Sequence, residues 1–426
     1  MNPAPPPSRA RISIAAWLLP LAAVTLLAGH MSGAIACLSE QGSISLKPRD
    51  FTLGLSLLSL ALVFFNRPSF SPAVLSLLLI PILRLSDSAV LKRYVNVTDG
   101  DPNIAVMTLA SVLLVTVVSL LVLSTENGPK IAVRAAIAII LIGVGSIAYE
   151  AAGLAQYSQI NGRPAGFLTQ PNEAIIMVCL MLGIVLTLSE AFWLNIAVIA
   201  TAAVGVGITL SRSGMLVFSV MVTCYLAANL RRHFGKIVII VAASIPAAIA
   251  GLAMLMQMAS SRNFGTDKNA TDRVSAITGM FSGNTDKMES QERMKDLHDG
   301  WEGVTDSPVF GHGTGSASSH WQPHNQWVGI WLDIGVGGVM LYAGTLLFLT
   351  VVCLKAGGRG LFALLPLWCF SVFSQNLVET AGYWFCAGVV ALVATKARFR
   401  LALRRAPVLV PVTQGPAAQW PSPPRS

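Results

Sequence analysis

Six histidines occur in the chain, and four of them, His298, His312, His320 and His324, fall in one polar stretch between about residues 257 and 325. A free imidazole titrates near pH ~6.5 and accepts a proton at neutrality. Imidazoles this dense first raise a metal site. The spacing 312, 320, 324 matches no zinc signature, however, and no HExxH run is present. His298, His312 and His320 are read as solvated loop residues, and neither metal nor cofactor is expected. His324 differs. It sits in Gln322-Pro323-His324-Asn325, where the polar stretch enters a long apolar run. A helix start there would hold the ring in place, and a positioned base contributes roughly 10²–10⁴-fold to a proton abstraction.

Three arginines occupy comparable contexts. Arg212 lies in Leu210-Ser211-Arg212-Ser213-Gly214 between two apolar runs, Arg163 in Asn161-Gly162-Arg163-Pro164, and Arg293 in an amphipathic stretch. An arginine at a bilayer centre costs at least about 2.5–3.5 kcal/mol, so Arg212 belongs at the mouth of a tight hairpin. The bland reading of such a residue is a snorkelling anchor. Guanidinium groups also match phosphate oxygens and stay charged when partly desolvated. Three facing one base therefore suggest a phosphate or pyrophosphate subsite. Glu379 and Glu150 are acids at membrane edges. Glu379 is placed to orient His324 or an arginine, and Glu150 to pair with a nearby base. Gly311-His312-Gly313-Thr314-Gly315 follows no strand, which excludes a P-loop or Rossmann turn. It reads as a turn whose amides face the site.

The elements that carry these residues follow from composition. The 426 residues are 54% hydrophobic and 12% charged, about half the charge of a soluble domain. Lipid must cover much of the surface. Apolar runs recur near 12–29, 51–65, 70–85, 104–123, 132–156, 173–189, 191–209, 213–230, 236–256, 326–353, 360–378 and 382–397. Without period-two alternation they are helices. The expected fold is an all-α polytopic membrane protein of about twelve transmembrane helices. The organisation is a segment 1–11, helices over 12–256, a large external loop 257–325, further helices over 326–397, and a disordered tail 398–426. The run after Arg11 is read as the first span rather than as a cleaved signal. Within the loop, Met294, Leu297, Trp301 and Val304 recur at helical spacing, which predicts an amphipathic helix on the membrane or over the bundle.

Orientation follows from the basic residues. Arg67, Lys130, Arg134, Arg231, Arg232, Lys236, Lys355, Arg359 and the basic tail alternate onto one face. That face is read as cytoplasmic, with both termini on it. Arg163, Arg212, the polar loop, His324 and Glu379 fall on the other. The net charge of +9 thus reflects topology. No basic stripe alternates with aromatics, so nucleic acid is not an expected partner. The six cysteines form no CxxC pair, and they read as small buried hydrophobes.

Four places in this pattern resemble the O-antigen ligase and polymerase superfamily. They are Gly162-Arg163 with Gly166 and Pro171-Asn172; Ser211-Arg212-Ser213-Gly214; Arg293 with Trp301, Pro308, Gly311 and Gly313; and His324-Asn325 followed by Gly335 and Gly338. The resemblance runs from about 160 to 380. It implies a bacterial inner-membrane enzyme with a periplasmic active site and no metal or nucleotide. It also implies an undecaprenyl-pyrophosphate-linked glycan as donor and a lipid A-core sugar as acceptor. His324 would deprotonate the acceptor hydroxyl. Arg212 and Arg293 would hold the pyrophosphate, with Arg163, Glu379, Asn325, Ser211 and Arg273 as further substrate-binding positions. The interval from Gly313 to His324 is short for the family. Arg273, and after it Arg262, is therefore the alternative to Arg293. A polymerase would use the same chemistry on a second lipid-linked repeat, and protein glycosylation or another lipid-linked glycan transfer is a further alternative. A transporter is the reading of another class, and it would place polar groups near the midplane on broken helices.

Overall fold

The structure, a computed structural model, describes residues 27–45, 54, 72–89, 113, 117, 120, 123, 127–160, 163–260, 291–374 and 377–405. The regular elements among them are helical: α1 (Ala34–Glu40), α2 (Pro72–Ala89), α3 (Gly128–Ala151), α4 (Pro171–Leu188), α5 (Phe192–Thr209), α6 (Arg212–Ser260), α7 (Gln291–Asp306), α8 (Gln326–Lys355), α9 (Leu361–Phe373) and α10 (Ala381–Arg405). Among the described residues, α3, α4, α5, α8 and the first 33 residues of α6 are long and apolar enough to cross a membrane. The protein is a multi-pass, all-helical membrane protein. Most of each expected span at 12–29, 51–65 and 104–123 lies outside the described residues, as do Arg262 and Arg273 and the tail from 406.

The bundle is organised around α4. From Ala174 to Leu188 this helix carries no charged residue and is apolar all round, which in a bundle marks a central helix rather than a lipid-facing one. It packs against α3, α5, α6, α9 and α10. Gly183 brings α9 close, since a Cβ there would stand 2.8 Å from the Phe362 carbonyl oxygen. A second group, α2, α8 and α10, packs beside it, and α7 lies on α8. Half of the stripe predicted on α7 faces inward, since Val304 is buried and Leu297 packs with Val328, Leu332, Trp321 and Trp331, while Met294 and Trp301 are exposed. Trp301 meets Trp331 edge-on at 5.5 Å. Of the two placements expected for this helix, the structure has the one over the bundle.

Three boundaries differ from the sequence reading. The runs 213–230 and 236–256 form one element, α6, kinked at His233 (φ −132°). The tail expected from 398 is helical through Arg405, as part of α10. And α8 is broken inside, at Gly335 (φ 71°, ψ −169°).

The break explains the glycine loop. The amides of His312 and Gly313 donate to the Leu332 and Asp333 carbonyls at 2.6 and 3.0 Å, and Val336 N–H donates to the Pro308 carbonyl at 3.0 Å. Loop 308–313 thereby bonds the backbone groups that the interrupted helix leaves open, as a buried break requires. A Cβ on Gly311 would stand 2.6 Å from the Leu332 oxygen, and one on Gly335 would overlap the Val309 carbonyl. The glycines are there for close backbone approach. The expectation that these amides face a ligand is corrected, because they face α8.

Candidate active site

The residues singled out by sequence gather at one end of the bundle. This end holds the C-termini of α2, α3 and α5 and the N-termini of α4, α6, α8 and α10. Helix N-termini carry partial positive charge and open N–H groups, which favours anions nearby.

The hairpin between α5 and α6 turns sharply. Leu210 adopts a left-handed conformation (φ 52°), and Ser211 then caps α6, its Oγ accepting from Gly214 N–H at 3.4 Å. The same hydroxyl donates to Asn172 Oδ1 at 3.1 Å, which ties the start of α6 to that of α4. Gly214 permits this contact, since a side chain there would run into Ile175. Arg212 follows as the first helical residue, half-buried at the mouth.

Arg163 is a tie as well. It is 3% exposed, and its Nη2 donates to Asn172 Oδ1 at 3.3 Å and to the Thr209 carbonyl at 3.5 Å. Burial moves Arg163 from an open phosphate ligand to a residue that positions the α5–α6 hairpin. Its loop is organised by Glu150, whose carboxylate accepts from Tyr157 and Ser158 N–H through Oε1 and from Ala165 and Gly166 N–H through Oε2. The expected base partner of Glu150 is thus replaced by backbone amides.

His324 lies at the head of α8. Asn325 caps that helix, its Oδ1 accepting from Trp327 and Val328 N–H at 2.9 and 3.3 Å. This is the strong N-cap chemistry of asparagine, and it occupies the side-chain oxygen expected to meet substrate. Gln322 and His324 have φ of 43° and 50°. Such a conformation in a non-glycine residue is costly and clusters at functional sites. His324 Nε2 lies 3.6 Å from Asp296 Oδ2, with side chains 40% and 28% exposed. Arg293 stands three residues before Asp296 on α7 and therefore shares its face.

The other histidines divide. His298 and His320 are exposed, as expected. His312 is corrected: its Nε2 is 2.7 Å from the Gly303 carbonyl and its ring lies 4.6 Å from that of Trp321. It joins the glycine loop to α7.

Beneath the mouth lies an ionic network that the sequence reading missed. Arg84 of α2 is 3% exposed. Its Nη2 reaches Asp333 Oδ2 at 2.8 Å and Glu379 Oε1 at 2.7 Å. Asp333 accepts through Oδ1 from Ser316 Oγ and Ala317 N–H at 3.1 and 3.0 Å. Thr314 binds Asp87 through both its amide and its hydroxyl. Charged residues within apolar runs are the signal that could have found Arg84 and Asp333.

Glu379 links the parts. It pairs with Arg84 through Oε1 at 2.7 Å. Its neighbour Val378 donates to Gln326 Oε1 at the start of α8. The hairpin carrying Arg212 is tied to the head of α4, and the helix head carrying His324 is tied through Gln326 to the segment that carries Glu379.

No curated protein matches the chain. Residues 196–343 match the family model described as O-antigen ligase, a region that runs from α5 through Ser211-Arg212, α7 and the glycine loop to His324 and the break in α8. Over that region the chain is similar to the O-antigen ligase family.

Proposed function

We propose that the protein transfers an O-antigen glycan from undecaprenyl pyrophosphate to a lipid A-core sugar at the periplasmic face of the bacterial inner membrane. The observation that carries the reading is the His324–Asp296 contact at a helix head, inside the matched region. An imidazole whose Nε2–H faces a carboxylate has Nδ1 as its basic nitrogen. The acceptor hydroxyl gives its proton to that nitrogen while its oxygen bonds to the anomeric carbon. The bond from that carbon to the pyrophosphate oxygen breaks, and negative charge collects on the leaving group. Arg212 and Arg293 neutralise it, with help from the helix N-termini. Glu379 is bound to Arg84 beneath this end of the bundle, and Arg163 and Ser211 hold the hairpin that presents Arg212.

The broken α8 would also suit a transporter, where open carbonyls at a break receive an ion. The Leu332 and Asp333 carbonyls are already bonded by His312 and Gly313, which favours transfer chemistry. The test is transfer in vitro by purified protein from lipid-linked glycan, with lipid A-core and a second lipid-linked repeat as competing acceptors. Product on lipid A-core supports the ligase. Product on the repeat indicates a polymerase, and product on neither rejects the proposal.

A further inference from the structure

The end of the bundle opposite His324 holds a second site. There a cavity of about 770 Å³ opens between α5, α6, the turn joining α8 to α9, and α9 itself, within the ~300–1,000 Å³ of ordinary ligand pockets. Its inner wall is apolar, formed by Phe362, Leu365 and Trp368, while its rim carries Arg232, His233 and Arg359. Glu190 is the single acid among the lining residues, and it already pairs with Arg359 Nη1 at 2.7 Å. Arg359 Nη2 donates to the Ser189 carbonyl at 3.2 Å, which fixes the guanidinium at the rim. Lys236 adds a third cation, its Nζ 5.6 Å from the Trp193 ring centroid and 5.9 Å from that of Phe192. Trp193 and Phe234 are 59% and 64% exposed, as aromatic residues are at a membrane–water interface.

We propose that this cavity binds an anionic phospholipid of the leaflet it meets, with the phosphate between Arg232 and Arg359 and an acyl chain along Phe362, Leu365 and Trp368. A cationic rim above an apolar slot matches a diester phosphate above hydrocarbon, as basic residues at a membrane surface attract anionic lipid. An inorganic anion would leave the apolar wall unfilled. A zwitterionic lipid would bring its own cation to a rim where Arg232, Arg359 and Lys236 face a single acid. The site lies at the far end from His324 and does not depend on the glycan-transfer reading.

The experiment is native mass spectrometry of the full chain in detergent with equimolar phosphatidylglycerol and phosphatidylcholine. At least fivefold preferential retention of phosphatidylglycerol is expected. Arg232→Ala with Arg359→Ala should abolish the preference. Because Arg359→Ala also breaks the contact with Glu190, two further variants read the same outcome: Arg232→Glu alone, and Leu365→Trp, which fills the slot and leaves the charges. Both should lower retention of phosphatidylglycerol. Equal retention of the two lipids by the wild-type protein, unchanged preference in the variants, or displacement of phosphatidylglycerol by millimolar inorganic phosphate would overturn the proposal.

Discussion

Asp296 on α7 stands 3.6 Å from Nε2 of His324 at the head of α8. Asp296 lies on α7 and His324 in the turn leading into α8, and these two helices pack together through Val304, Val328 and Leu332. A carboxylate so placed orients the ring and stabilises the imidazolium that forms when the base is protonated. The His324→Ala variant is expected to lose roughly 10²–10⁴-fold in turnover, the usual contribution of a positioned base. Asp296→Asn removes only the partner. It should cost about tenfold, a part of that contribution. Initial rates of transfer with saturating donor check both, and an Asp296→Asn variant at the wild-type rate would remove Asp296 from the account.

Arg212 supplies a planar fork at the first position of α6. Lysine offers a point charge on a flexible stem and no fork. Arg212→Lys should therefore resemble Arg212→Ala, with a loss of about 10–100-fold that follows from a charged hydrogen bond worth ~1.5–3 kcal/mol. The ratio of kcat to KM for the lipid-linked donor measures it. Near-complete activity in the lysine variant would show that charge alone suffices.

Arg84 is a buried cation between two carboxylates, Asp333 and Glu379. Removing one partner of a buried pair leaves an uncompensated charge and costs about 3–5 kcal/mol. Arg84→Met should lower the thermal unfolding temperature sharply. Adding Asp333→Asn to it should recover part of the loss, because one of the stranded charges goes with it. Thermal denaturation in detergent, read by intrinsic tryptophan fluorescence, checks the pair. Additive losses would argue against a coupled network.

Glu150 accepts four backbone N–H bonds from the loop that carries Arg163. In Glu150→Gln one oxygen becomes an NH₂ group, which donates and cannot accept. Two amides lose their acceptor, at about 1–3 kcal/mol for each group left buried. Faster hydrogen exchange at Ala165 and Gly166 or at Tyr157 and Ser158 is expected, and exchange unchanged at both pairs would refute this role.

Legibility in the sequence tracked the local character of each signal. The starts of α4, α6 and α8 were readable because Pro171-Asn172, Ser211-Arg212 and His324-Asn325 act within a few residues of where they stand. The apolar runs showed the helices for the same reason. The break in α8 was not legible, since Gly335 sits in a run that is apolar on both sides and only loop 308–313, distant along the chain, makes an interruption tolerable. Asp296 was hidden as one more charge on an amphipathic helix. Arg84, Asp333 and Glu379 form one cluster across 249 and 295 positions, and no spacing rule reaches that far. Arg163 and Asn325 were recognised as important, yet their tasks differ from the expected ones. A guanidinium or an amide serves a backbone carbonyl or a helix end as readily as a phosphate, and only burial distinguishes the two.

The most direct test separates donor binding from turnover in His324→Ala. With purified protein in nanodiscs, lipid-linked glycan should bind this variant with the wild-type affinity while transfer to lipid A-core falls by at least about a hundredfold, the lower bound for loss of a positioned base. Transfer at the wild-type rate, with donor bound equally well, would contradict the assignment of His324 as the base.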